Sequence, residues 1–120
     1  MAIGLGACAG MGTARKENRT NLLRLSVGMT KEEVLQIMGV RTYRTIDLTD
    51  EDITNPYRSE SYQAGGSVWQ VLFYYTDIKA DDGAITDDEL TPIVLKDGRL
   101  DGWGWSCWRD TQTKYEIRLR

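Results

Sequence analysis

Apolar positions along the chain change their spacing once, near residue 40. Before that point the pattern is helical. Arg15 to Leu25 is polar early and apolar late, with Leu22, Leu25 and Leu23 available to one face, which predicts a first helix. Leu25-Ser-Val-Gly-Met-Thr30 breaks it. Thr30-Lys-Glu-Glu33 is then a capping box: the Thr hydroxyl takes a backbone N–H of the first turn, and Glu33 reaches back to the cap N–H. Val34, Leu35, Ile37 and Met38 supply an apolar stripe, and Gly39 is the stop signal. A second helix over 31–38 follows.

After residue 40 the spacing suits strands. Thr42 to Leu48 has β-branched and aromatic content. Ser67 to Thr76 is a nearly continuous bulky run, expected to be central and covered on at least one face. Leu90–Lys96 and Arg99–Trp105 flank Asp97-Gly98, the two-residue hairpin signal in which both central residues need positive φ. Tyr115, Ile117 and Leu119 alternate with charged residues and predict a last strand. Residues 49–66 and 77–89 read as acidic loops, with Asn55-Pro56 a turn and Gly65-Gly66 a hinge. This order predicts an α+β fold, two N-terminal helices on one face of a three- to four-stranded antiparallel sheet.

Composition narrows the chemistry. At 120 residues the chain suits one domain, and it contains no histidine. That removes Ser-His-Asp and Cys-His nucleophiles and imidazole metal sites. The net charge of −3 argues against nucleic acid as the partner. Charge is unevenly spread: +4 over residues 1–46, −9 over 47–89 and +2 over 90–120. A partner of the acidic block should be basic or cationic.

Residues 78–89 have the length of an EF-hand loop, with Gly83 and Glu89 in register. Its first and third positions are Ile78 and Ala80, so too few oxygens remain for a hard cation. No cofactor is expected. Clustered acids in loops give no reason for one raised carboxyl pKa, so catalysis ranks last among the readings. Trp103 and Trp105, two apart on the expected strand, should point the same way beside Tyr75. Core packing is one reading; a partly exposed platform for a protein partner is the other. Cys107 has the character of a small buried apolar residue.

Residues 1–14 are expected to be a signal remnant and tether, and 15–120 the single domain. The first twelve residues are uncharged, small and include four glycines, so they cannot fill a core. Leu5-Gly-Ala-Cys8 resembles a bacterial lipobox, in which Cys8 would be lipidated and Ala9 would accompany sorting to the outer membrane. A Cys8–Cys107 disulfide would close a loop worth roughly 4–5 kcal/mol, but a lipidated Cys8 cannot pair.

Two longer resemblances agree with that setting. Leu25-Ser-Val-Gly-Met-Thr-Lys-Glu-Glu-Val-Leu-Gln-Ile-Met-Gly39 resembles the opening of BamE-like (SmpA/OmlA) outer-membrane lipoproteins, whose domain is two helices on a three-stranded antiparallel sheet. Val40 and Arg41 stand where those families usually have Pro. Val71–Thr76, Asp82-Gly83, Thr86–Glu89, Thr91–Val94 and Gly98–Gly104 resemble an uncharacterised family of bacterial lipoproteins, a domain of unknown function. Tyr75 stands where that family has a basic residue, and Leu90 where it has Cys. The resemblance implies a non-enzymatic envelope lipoprotein, on the periplasmic face of the outer membrane, that binds another envelope protein. Tyr75, Trp103, Trp105, Asp81, Asp82, Asp87 and Asp88 are the candidate contacts. The alternatives are an enzyme inhibitor of the β-lactamase-inhibitor type and a cation or small-ligand sensor using residues 77–89.

Overall fold

The computed structural model describes residues 10–43, 53–78 and 85–118. Within them lie three helices and a four-stranded antiparallel sheet, an α+β fold with the sheet following two helices. The helices are α1 (Gly10–Leu22), α2 (Lys31–Met38) and α3 (Trp105–Lys114). A short ribbon pairs β1 (Thr42–Tyr43) with β2 (Ile53–Thr54). The main sheet is a meander, β3 (Arg58–Ala64), β4 (Ser67–Tyr75), β5 (Leu90–Lys96) and β6 (Arg99–Trp103), with neighbours in space following the chain.

The strongest local signals form as expected. Glu33 N–H donates to Thr30 Oγ1 at 3.2 Å, and Thr30 N–H donates to Glu33 Oε1 at 2.9 Å. Gly39 ends α2 at φ 89°, and its carbonyl accepts the Tyr74 hydroxyl at 2.9 Å. Asp97 and Gly98 have φ of 50° and 81°, as the hairpin turn between β5 and β6 requires. Asp97 also braces β4, since its Oδ1 accepts Val68 N–H at 2.9 Å.

Four expectations change. Residues 58–64, read as loop, form β3, and Gly65-Gly66 is its hairpin turn, with φ of 60° and 80°. Residues 44–48, in the strand expected from Thr42, lie outside the described residues. β6 stops at Trp103, because Gly104 at φ 99° turns the chain into α3. Of the strand expected at 115–119, residues 115–118 form none, since Tyr115 caps the C-terminus of α3, and Leu119 lies outside the described residues. The first helix starts at Gly10 instead of Arg15, and Ala14 on it is fully buried.

Both sheet faces are covered. On one, Leu72, Tyr74, Ile93, Leu95 and Leu100 pack with Val34 and Met38 of α2. On the other, Trp69, Val71, Phe73 and Val94 pack with Trp108 of α3. Burial of each large side chain contributes about 1.5–3 kcal/mol. α1 crosses the end of β4, with Ala14 in the α3-side core and Leu22 against the α2-side core.

A buried amide pair fixes that crossing. Asn18 Nδ2 donates to Asn55 Oδ1 at 3.1 Å and to the Tyr75 carbonyl at 2.9 Å. Asn55 Nδ2 returns a bond to Asn18 Oδ1 at 3.0 Å and reaches the Met38 carbonyl at 3.4 Å. Three elements, α1, α2 and β4, are thus tied together through Asn18 and Asn55. Buried polar groups survive only when so satisfied.

Candidate functional site

α3 leans over β5 and β6 and leaves part of the β3 face bare. The result is a groove of about 500 Å³ between β3 and α3. Alternation on β3 sends Arg58, Glu60 and Tyr62 into it, half-buried, while Ser59, Ser61 and Gln63 face the other side and are exposed. Phe73 forms part of the lining, with Trp105 and Trp108 from α3. Tyr62 and Trp108 have ring centroids 5.8 Å apart, and Phe73 and Trp105 5.9 Å apart, within the range of favourable aromatic pairing.

Charge in the groove is held in a fixed arrangement. The Arg58 guanidinium lies 4.2 Å from the Phe73 ring centroid. Its Nε is 3.0 Å from Glu60 Oε2 and its Nη1 2.8 Å from Asp87 Oδ1. The Tyr62 hydroxyl donates to Glu60 Oε1 at 2.6 Å. Burial works against the Arg58 charge, but the Asp87 hydrogen bond and the two carboxylates outweigh it, so the guanidinium pKa rises. Trp105 is pinned by its own Nε1–H, which donates to the Leu90 carbonyl at 2.8 Å. The groove therefore offers flat apolar walls and a mouth whose carboxylate oxygens keep further acceptor capacity.

Of the candidate contacts, this groove unites Trp105 and Asp87. Asp87 sits in a single 3-10 turn, Asp87–Glu89, opened by Thr86, whose N–H donates to Glu89 Oε1 at 2.9 Å. Asp88 is exposed beside it and accepts the Thr86 hydroxyl. Trp103 does not join Trp105. Gly104 separates strand from helix, so Trp103 packs on the α2-side core and Trp105 on the α3-side core. Tyr75 is 1 % exposed, and its hydroxyl accepts Arg15 Nη1 at 2.8 Å, so it is an internal strut and no part of an exposed platform. Cys8, Asp81 and Asp82 lie outside the described residues. Arg58, Glu60, Tyr62, Phe73 and Trp108 were not anticipated as a site. The signal for three of them was present in the i, i+2, i+4 spacing of Arg58, Glu60 and Tyr62.

Other chemistry finds less support. Among the described residues no group of three or more Cys, Asp or Glu is placed to hold a metal ion. Burial, followed by the Asp101 charge, pushes the Cys107 thiol up, so it is less ionised than an ordinary cysteine. Among the described residues no helix is long and apolar enough to cross a membrane. Neither a curated protein nor a solved structure matches the chain. One protein family matches residues 11–110, which include every residue of the groove, and the chain belongs to it: the family described as protein of unknown function DUF3192.

Proposed function

We propose that this protein is a non-enzymatic binding domain of the bacterial envelope, held to the periplasmic face of the outer membrane by lipid on Cys8. Its task is to bind another envelope protein, and the groove between β3 and α3 is the contact site. The observation that carries this reading is the aromatic-walled groove with the Glu60–Arg58–Asp87 ion pairs at its mouth. Aromatic rings and arginine are the side chains that most often anchor protein interfaces. A partner would insert an apolar side chain between Tyr62 and Trp105 and meet the carboxylates with a donor, in keeping with the acidic character of the middle of the chain.

Lipidation brings this surface close to the bilayer. α1 starts at Gly10, two positions after Cys8, so a lipid on Cys8 would sit beside the start of that helix. One acyl chain anchors marginally, whereas the three of a mature bacterial lipoprotein hold firmly.

The test is recovery of partners from envelope extracts by wild type, Asp87→Ala and Trp105→Ala. Asp87 is exposed, so its loss leaves the fold intact, and circular dichroism checks the tryptophan variant. Loss of the same partner from both variants is expected. An unchanged set of recovered proteins with both variants folded overturns the groove as the contact. Cys8→Ser should abolish incorporation of labelled fatty acid and release the protein from membranes; membrane retention without label would reject the anchor.

A further inference from the structure

The two edges of the main sheet are treated differently. β6 is closed by the segment before α2. Gly28 N–H donates to the Leu100 carbonyl at 2.8 Å, Leu100 N–H to the Met29 carbonyl at 2.7 Å, and Lys31 N–H to the Gly98 carbonyl at 2.9 Å. Thr30 and Arg99 form an antiparallel bridge there. β3 is the opposite edge, and among the described residues only β4 pairs with it.

β3 carries only part of the usual protection: its two charges face the α3 side, and Glu116, Ile117 and Arg118 line a cavity with Ser61, Tyr62 and Gln63, but among the described residues no strand covers it. An open edge is a template for a further strand, and proteins blunt it with Lys, Pro, a bulge or an inward charge. The seven residues of β3, Arg-Ser-Glu-Ser-Tyr-Gln-Ala, include neither Lys nor Pro. Their register with β4 runs without a bulge from Arg58↔Phe73 to Ala64↔Ser67. The two charges, Arg58 and Glu60, are paired with each other on the α3 side. On the other side Ser59, Ser61 and Gln63 are neutral and exposed.

We propose that β3 pairs antiparallel with β3 of a second copy of this chain, about a two-fold axis through Ser61. An axis normal to the sheet keeps residues of like orientation opposite one another, because side chains alternate along a strand. Among such registers the charges choose. Centring on Glu60 would set two carboxylates face to face, a repulsive arrangement. Centring on Tyr62 would leave Arg58 and Ser59 beyond the end of the second strand. Centring on Ser61 pairs all seven residues. Arg58 then meets Ala64 of the second copy, Ser59 meets Gln63, and Glu60 meets Tyr62. No like charges stand directly opposite, and the Glu60–Tyr62 contact repeats across the axis a pairing already made within one chain. The product is one continuous eight-stranded sheet with both grooves on the same side of it. This goes beyond the envelope-partner reading and is tested without any partner.

Sedimentation of the purified full chain carrying Cys8→Ser, so that neither lipid nor a Cys8 disulfide contributes, should show a concentration-dependent species of about twice the 13.6 kDa chain mass. The triple variant Ser59→Lys, Ser61→Lys, Gln63→Lys sets three ammonium pairs opposite one another and should weaken the dimer by about tenfold or more. The matching triple Glu variant should do the same. Mixing the two variants should restore the dimer, which general destabilisation would not do. If a triple variant does not fold, Ser61→Lys mixed with Ser61→Glu carries the same test with one opposed pair. A wild-type chain that stays monomeric at all concentrations overturns the proposal. So does a dimer indifferent to these changes.

Discussion

At the scale of single residues, small polar groups and one glycine carry constraints out of proportion to their size. Asn18 is fully buried and holds α1 to Asn55 and to the Tyr75 carbonyl. Asn18→Ala removes two donors and leaves the Asn55 amide and a buried carbonyl under-satisfied, at about 1–3 kcal/mol each. Urea unfolding should therefore show a loss of about 2–4 kcal/mol, and a change below 1 kcal/mol would mean that the crossing of α1 is not held this way. Gly102 answers to a different constraint. A Cβ there would come within 2.6 Å of Cys107 Sγ. Gly102→Ala should cost about 1–3 kcal/mol through overpacking. Cys107→Ala in the same chain should recover most of that loss; a double-mutant cycle with no coupling would place the strain elsewhere. Neither role is visible in the sequence, where Asn18 lies in a polar stretch and Gly102 in a strand.

At the scale of elements, α2 shows how a local signal becomes a pH-dependent one. The Thr30 backbone N–H, then the Thr30 hydroxyl, hold the Glu33 carboxyl below its ordinary pKa, and the Arg99 charge adds to them. The Val68 N–H leads the same effect on Asp97 at the β5–β6 turn. Each carboxyl binds its proton more weakly in the folded chain than in the unfolded one. Their stabilisation is therefore full above the ordinary carboxylate range and fades as the pH falls through the lowered folded values. Acid melting of Glu33→Gln should be less steep over that range than that of wild type. Identical slopes would show that the capping carboxylate carries no linkage. α3 rests on tertiary packing instead. Its sequence, Trp-Ser-Cys-Trp-Arg-Asp-Thr-Gln-Thr-Lys, has weak helix formers and no hydrogen-bonded side-chain cap. Trp108, 1 % exposed in the α3-side core, pays back that weak propensity, and Trp108→Ala should cost about 3–5 kcal/mol in chemical unfolding. A loss under 1 kcal/mol would mean the helix is held by something other than this ring.

At the scale of the whole molecule, a sheet covered on both faces makes one cooperative unit from two cores. A chain ending after Gly104 would expose Val71, Phe73 and Val94 together, so it should bind a hydrophobic dye and lose its sharp thermal transition. Retention of that transition would show that the α2-side core stands alone. The capping box of α2, the Asp97-Gly98 hairpin and the bulky run of β4 were legible from the chain, because each depends on neighbours within a few residues. They sufficed for the α+β class and for two N-terminal helices followed by an antiparallel sheet, but not for the C-terminal helix. The edge strand β3, the turn into α3 and the groove between them were not legible. β3 is polar along its length, and its partner is β4, which supplies the hydrogen bonds its own pattern does not announce. Trp105, the first residue of α3, reads as the end of a strand until Gly104 turns the chain, and the sheet offers a face for Trp108 to bury. The sequence alone determined which segments have a strong local preference. Packing decided what the weakly biased segments became, because their free energies lie in contacts with residues far along the chain, and the groove that unites Arg58, Tyr62, Asp87 and Trp105 is built from those segments.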